Sequence, residues 1–217
     1  MGRAQMTGAG MSYLYESALR RIAEALDVGG LEKPPVWLLG GSCALLLHNV
    51  PLDKPPSDID LYADLEDAGL LHQALSCYSA DEGPEEDYSG NCYSRRSRYV
   101  VDGMKVELVC GFRMGIPPFG YAADIHMLLN HAPVSRIDSL CLIRLMPLAH
   151  ELLFNMLRGR MERCRAIAGR MHSSLQLHVP LLNELADRNE LAPSCRAELY
   201  GLLRQPLETE FRKETAR

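Results

Sequence analysis

The segment from Val36 to Tyr62, VWLLGGSCALLLHNVPLDKPPSDIDLY, decides the fold. Val36 to Leu39 predicts a short buried strand, Gly40-Gly41-Ser42 a tight turn, and Cys43 to His48 a brief apolar helix. A proline-rich loop follows, and then a second strand carrying Asp58 and Asp60. Strand alternation has period two, so these carboxylates project from one face. Side by side they repel, and a divalent cation offsets the repulsion; Mg²⁺ takes oxygen ligands and keeps positions open for phosphates. The glycines allow close approach of backbone to a ligand, and the helix start offers unpaired N–H groups to an anion. One stretch thus combines a phosphate cradle at Gly40, Gly41 and Ser42 with a metal clamp at Asp58 and Asp60.

This order of Gly40-Gly41-Ser42, helix, and Asp58-Ile59-Asp60 on a strand resembles the signature of the DNA-polymerase-beta-like nucleotidyltransferases, especially their small stand-alone prokaryotic members, toxin-type relatives included. The resemblance implies an α+β fold, with a mixed central sheet flanked by helices and a C-terminal helical region. It also implies a third carboxylate on a later strand. Tyr99 to Val109 is two apolar runs around Asp102-Gly103, a strong hairpin signal. Met104, Val106 and Leu108 share one face of its second strand, which leaves Lys105 and Glu107 on the other. Glu107 is the match for the third acid.

The activity implied is Mg²⁺-dependent transfer of a nucleoside monophosphate from a nucleoside triphosphate, ATP among them, to a hydroxyl, with release of pyrophosphate. Two Mg²⁺ ions would be held by Asp58 and Asp60, with Glu107 on the ion nearer the acceptor, and the Gly41 backbone and Ser42 would hold the outgoing phosphates. The acceptor is open between a small molecule, an RNA end and a protein side chain. A reading from another class is a catalytically inactive nucleotide-binding or partner-binding module that keeps the fold. Relatives carry Arg, then Thr two residues later, before the first Asp. Here Lys54 fits the basic position, Pro56 occupies the Thr position, and Ser57 is offset by one. Nucleotide contacts from Lys54 and Ser57, or a stiff loop that fixes register, are equally open readings.

Composition excludes other classes. A net charge of −5 argues against a protein that coats nucleic acid non-specifically. The 7 cysteines are scattered without a CxxC pair, which favours reduced thiols in a cytoplasm. Nothing approaches a membrane span in length. Residues 1–11 are expected to be a disordered tail, 12–145 the catalytic domain, and 146–217 the C-terminal helical region, whose apolar stripes would be buried internally or against a second copy or a cognate protein partner.

Ser12 to Val28 predicts an amphipathic helix ended by Gly29-Gly30. Leu65 to Tyr78 predicts another, with Leu70, Leu71, Ala74 and Leu75 inward. Asp81 to Gly90 is acidic and turn-rich and predicts a surface loop, either at the rim of the cleft where it would exclude polyanions or, the favoured reading, a solvated insertion with no role. Arg96 and Arg98 beyond it could meet a phosphate or pair with that loop. Asp138 to Leu145 could be a last strand or a helix start. From Pro147 the pattern is helical, and the PLAHELL phrase resembles the family's C-terminal helices. Many relatives continue with Lys one turn on and then a Lys-Asp pair, where this chain has Asn155 and then Glu162-Arg163. Arg158, Arg160, Arg163, Arg165 and Arg170 make the segment basic, a pattern more common on a solvated helix face than in a binding site. Further helices are expected over Leu175 to Phe211, broken at Pro180, Pro193 and Pro206.

Overall fold

The computed structural model describes residues 8–27, 32–115 and 120–204, with the side chains of 8–14 left aside. The chain runs α1 (Gly8–Leu26), β1 (Leu38–Gly40), α2 (Gly41–Leu47), β2 (Asp58–Ala63), α3 (Ala68–Leu75), β3 (Glu85–Asp87), β4 (Cys92–Val101), β5 (Met104–Met114), β6 (Tyr121–Ala122), α4 (Ile125–Leu129), β7 (Val134–Arg136), β8 (Leu142–Arg144), α5 (Leu148–Leu157), α6 (Met161–Met171), α7 (Leu175–Arg188) and α8 (Pro193–Arg204). The central sheet has the order β1-β2-β5-β4-β3, with β6 on the far end of β5; β7 and β8 form a separate pair. β2 and β5 are parallel, while β1, β3, β4 and β6 pair antiparallel to their neighbours. The fold is therefore α+β with a mixed sheet flanked by helices.

Two apolar cores lie on the two faces. One gathers Leu19, Ile22, Ile59, Leu61, Leu71, Val106 and Leu108 beneath α1 and α3. The other joins Tyr62, Val109 and Phe112 to Leu152, Leu153, Ile167, Leu182 and Leu199 of the C-terminal helices. A slip of one residue in β2 or β5 would exchange these faces for carboxylates, which is what fixes the register. The hairpin turn agrees: Asp102 and Gly103 have φ of 48° and 81°, the pair of left-handed residues that matches strand twist in a two-residue loop.

Several boundaries differ from the sequence reading. α1 begins at Gly8, inside the stretch expected to be a tail, because extending an existing helix gains a hydrogen bond for each residue fixed. It ends at Leu26, and Gly29-Gly30 lie outside the described residues. Leu70 is 41% exposed and faces away from the core that holds Leu71 and Leu75. Glu85–Asp87, read as loop, is an edge strand: Glu85 opposes Arg96 and Glu86 opposes Arg95, so cross-strand charge pairs replace the apolar alternation that signals a strand. The Asp138 to Leu145 stretch contains β8. Pro180 lies within α7 without ending it, near enough to the N-terminus that one ladder bond is lost. Pro193 opens α8, and Pro206 lies outside the described residues. No helix among the described residues is long and apolar enough to cross a membrane.

Candidate functional site

Parallel pairing of β2 with β5 sets Asp58 opposite Lys105 and Asp60 opposite Glu107. Paired residues point to one face across a strand spacing of about 4.8 Å, so the three acids share the face away from α1 and α3. Asp58, Asp60 and Glu107 line one cleft of about 440 Å³, together with Gly41 and Ser42. Lys105 shares the face but is exposed and lies outside the cleft lining. Burial pushes the Asp60 carboxyl up to about 6, and repulsion by Asp58 and Glu107 adds to it against Arg160 and Arg158.

Glu107 is held from β4. Arg98 opposes it in register, with Nε 3.6 Å from Oε1, and Arg96 Nη1 is 3.9 Å from Oε2. Both arginines also pair with the acidic segment, Arg96 with Asp87 at 3.1 Å and Arg98 with Glu85 at 3.3 Å. Asp87 and Ser89 stand at the cleft wall, so the segment read as a solvated insertion contributes to the site.

Gly40 and Gly41 are required by close approach. A Cβ on Gly40 would lie 2.5 Å from the Tyr62 ring, and one on Gly41 would lie 2.0 Å from Asp60 Oδ2, at a φ of 62°. The Gly41 N–H, read from the sequence as a phosphate donor, donates instead to Glu151 Oε1 at 3.0 Å. Ser42 Oγ accepts from Arg163 Nη2 at 3.3 Å. Ser57 Oγ lies 3.4 Å from Asp58 Oδ1. Lys54 lines a neighbouring cavity, not the acid cleft, and Arg160 and Arg163 line both.

Sequence reasoning missed Glu151. It sits in the first turn of α5, 2% exposed, and burial pushes its carboxyl up to about 7 against the opposing Gly41 hydrogen bond. Asn155, one turn later, donates to the Glu151 carbonyl at 2.8 Å and to Oε2 at 3.2 Å. The available signal was a carboxylate and an amide at i and i+4 in a helix whose other residues, His150 apart, are apolar, LAHELLFNML. The arginines were misread in part. Arg158, Arg160 and Arg163, around the α5–α6 junction where Gly159 has φ 67°, line the same cleft as the acids. Arg165 and Arg170 are exposed and do not line it. Burial and repulsion by Arg158 and Arg163 lower the Arg160 pKa, against the attraction of Asp60.

No protein-family model and no curated sequence matches the chain. Among solved structures, a candidate nucleotidyltransferase, TM1012 from Thermotoga maritima, superposes with a TM-score of 0.57 at 22% identity, covering 76% of this chain and 94% of that one. ANT(2")-Ia in complex with adenylyl-2"-tobramycin follows at a TM-score of 0.42 and 12% identity, covering 81% and 97%. The cyclic dinucleotide synthase CdnE of Elizabethkingia meningoseptica, with GTP and Apcpp, gives 0.31 and 13%, covering 84% and 66%. The first likeness shows that the chain shares the fold of that solved structure, a mixed sheet flanked by helices.

Proposed function

We propose that the protein transfers a nucleoside monophosphate from a nucleoside triphosphate to a hydroxyl acceptor, with Mg²⁺ as cofactor and pyrophosphate as the second product. The observation that carries this reading is the meeting of opposite charges in one cleft, which Asp58, Asp60 and Glu107 line together with Arg158, Arg160 and Arg163. An all-oxygen donor set whose members repel one another fits a hard divalent cation. Asp58 and Asp60 would hold it, and Glu107 would share in it on the acceptor side. When bound there, Mg²⁺ would supply charge neutralisation at the α-phosphate.

The remaining work falls to the chain. Arg160, Arg163 and the Ser42 hydroxyl would hold the β- and γ-phosphates through charge-assisted bonds, and the polyanion would relieve the mutual repulsion of the guanidinium groups. Two buried cleft atoms lack a hydrogen-bond partner, Asn155 Oδ1 and Arg96 Nε; an acceptor and a donor so placed suit polar groups of an incoming ligand. Glu107, steadied by Arg98, would take the proton of the acceptor hydroxyl as its oxygen bonds to the α-phosphorus and the bond to the β-phosphate bridge breaks. Positioning and electrostatics supply most of the rate in such displacements.

The test is a screen of the common nucleoside triphosphates with Mg²⁺ against small-molecule, RNA and protein fractions, read by mass. A nucleotidyl mass gain on an acceptor together with pyrophosphate supports the reading. No consumption of any triphosphate would leave the fold serving as a binding module, and release of orthophosphate would assign a different reaction.

A further inference from the structure

A second group of ligating side chains lies apart from the cleft. Glu66, Asp67 and His126 bring one imidazole nitrogen and two carboxylate oxygens within 4.8 Å of one another, and none of them lines the acid cleft. His126 Nε2 is 3.0 Å from Asp67 Oδ2 and 3.2 Å from Glu66 Oε1. Glu66 and Asp67 follow the end of β2, whose first half bears Asp58 and Asp60, and His126 comes from α4.

Two features distinguish the arrangement from a chance ion pair. First, the imidazole is placed by an independent clamp. Asp64 accepts hydrogen bonds from the Ile125 N–H at 3.1 Å and the His126 N–H at 2.9 Å, which pins the start of α4 to the segment after β2. Second, Asp67 occupies the N-cap position of α3 but makes no side-chain cap bond there. An aspartate at that position normally stabilises the helix by accepting from the first helical turn. Here the carboxylate, in a residue only 6% exposed, turns instead to His126. Both carboxylates thus converge on one ring nitrogen: Asp67 is hydrogen-bonded to Nε2, and Glu66, which also accepts from Lys33 Nζ at 3.2 Å, stands within 3.2 Å of it.

We infer that Glu66, Asp67 and His126 form a binding site for a divalent transition-metal ion of the zinc class, with the ion lying among the three groups that converge there. One imidazole and two carboxylates are a mixed nitrogen and oxygen set, which suits Zn²⁺ or Co²⁺ and differs from the all-oxygen set of the cleft. The ion would bind Nε2 of the neutral ring, whose proton then resides on Nδ1, along with one oxygen from each carboxylate; solvent would complete the tetrahedron. Glu66 would give up its contact with Lys33, an exposed pair at 3.2 Å that contributes little. The bound ion would tie the segment after β2 to α4 and stiffen the sheet on which the catalytic acids stand.

The experiment uses the full chain carrying Asp58→Ala and Asp60→Ala, so that the cleft acids cannot account for binding, and titrates it with Co²⁺ followed by visible absorption and calorimetry. The inference expects one equivalent of Co²⁺ with the absorption bands of a four- or five-coordinate site, displaced by Zn²⁺. Adding His126→Ala should abolish it. Adding Glu66→Gln, at a residue exposed enough to leave folding untouched, should weaken it by more than the roughly 10- to 100-fold that loss of a supporting outer partner costs. Absence of binding in the cleft-disabled protein, or binding unchanged by Glu66→Gln, would overturn the inference. Neither result bears on nucleotidyl transfer, which is read separately.

Discussion

The Gly41 N–H donates to Glu151 Oε1 at 3.0 Å, joining positions 110 apart in the chain. The turn ahead of α2 is thereby fastened to the first C-terminal helix, and on its other side Gly41 stands against Asp60 without room for a methyl group. Gly41 thus links the Asp60 carboxylate of β2 to α5, and the consequences can be measured.

Gly41→Val would put a branched side chain into the Asp60 carboxylate at a left-handed backbone position, where a non-glycine residue costs roughly 1–2 kcal/mol. The expected outcome is loss of pyrophosphate release by at least about 100-fold, together with a lower melting temperature. A variant with wild-type turnover would show that the Asp60 position is immaterial.

Glu151 predicts a pH dependence of stability. Its carboxyl is raised by burial from 4.5 to about 7, so the folded state holds a proton that the unfolded chain has released between those values. Stability is therefore full below about pH 4.5 and falls as pH rises toward 7, by at most roughly 3 kcal/mol from this group. Glu151→Gln keeps an acceptor for Gly41 and removes the charge. Denaturant melts of metal-free protein should show a negative slope for the wild type over this window and a flatter one for the variant, which should be the more stable at pH 7. Equal slopes would place the Glu151 carboxyl in water.

Arg160 separates binding from structure. Its guanidinium is disfavoured by burial and by two neighbouring cations, so Arg160→Ala should leave stability unchanged or slightly higher. Loss of its bonds to phosphate should raise the KM for the nucleoside triphosphate by roughly 10- to 100-fold, the equivalent of about 1.5–3 kcal/mol for a hydrogen bond to a charged group. An unchanged KM with lower stability would make the arginine cluster structural.

How much of this was legible in the sequence follows from the range of the interactions. Asp58, Asp60 and the Asp102-Gly103 hairpin were readable because alternation and turn chemistry are local, and they fixed which face Glu107 takes. The edge strand at Glu85–Asp87 was not, because it is held by charge pairs with a strand that follows it. The cleft-lining arginines were hidden for a similar reason: helical spacing shows that Arg158, Arg160 and Arg163 cluster near a junction, but only packing of α5 and α6 over Ser42 decides that they line the same cleft as the acids. Glu151 was masked by its own phrase, whose leucines read as core and gave no hint that a carboxylate could be buried among them.

The central claim is that Asp58 and Asp60 support nucleotidyl transfer, and pyrophosphate release from a nucleoside triphosphate with Mg²⁺ tests it most directly in Asp58→Asn and Asp60→Asn. Both substitutions keep side-chain volume and remove one charge from a mutually repelling set, so the proteins should stay folded with Asp60→Asn somewhat stabilised. The account predicts that each lowers the rate by about 1,000-fold or more, equivalent to about 4 kcal/mol of transition-state stabilisation. Near wild-type release of pyrophosphate by either folded variant would contradict it.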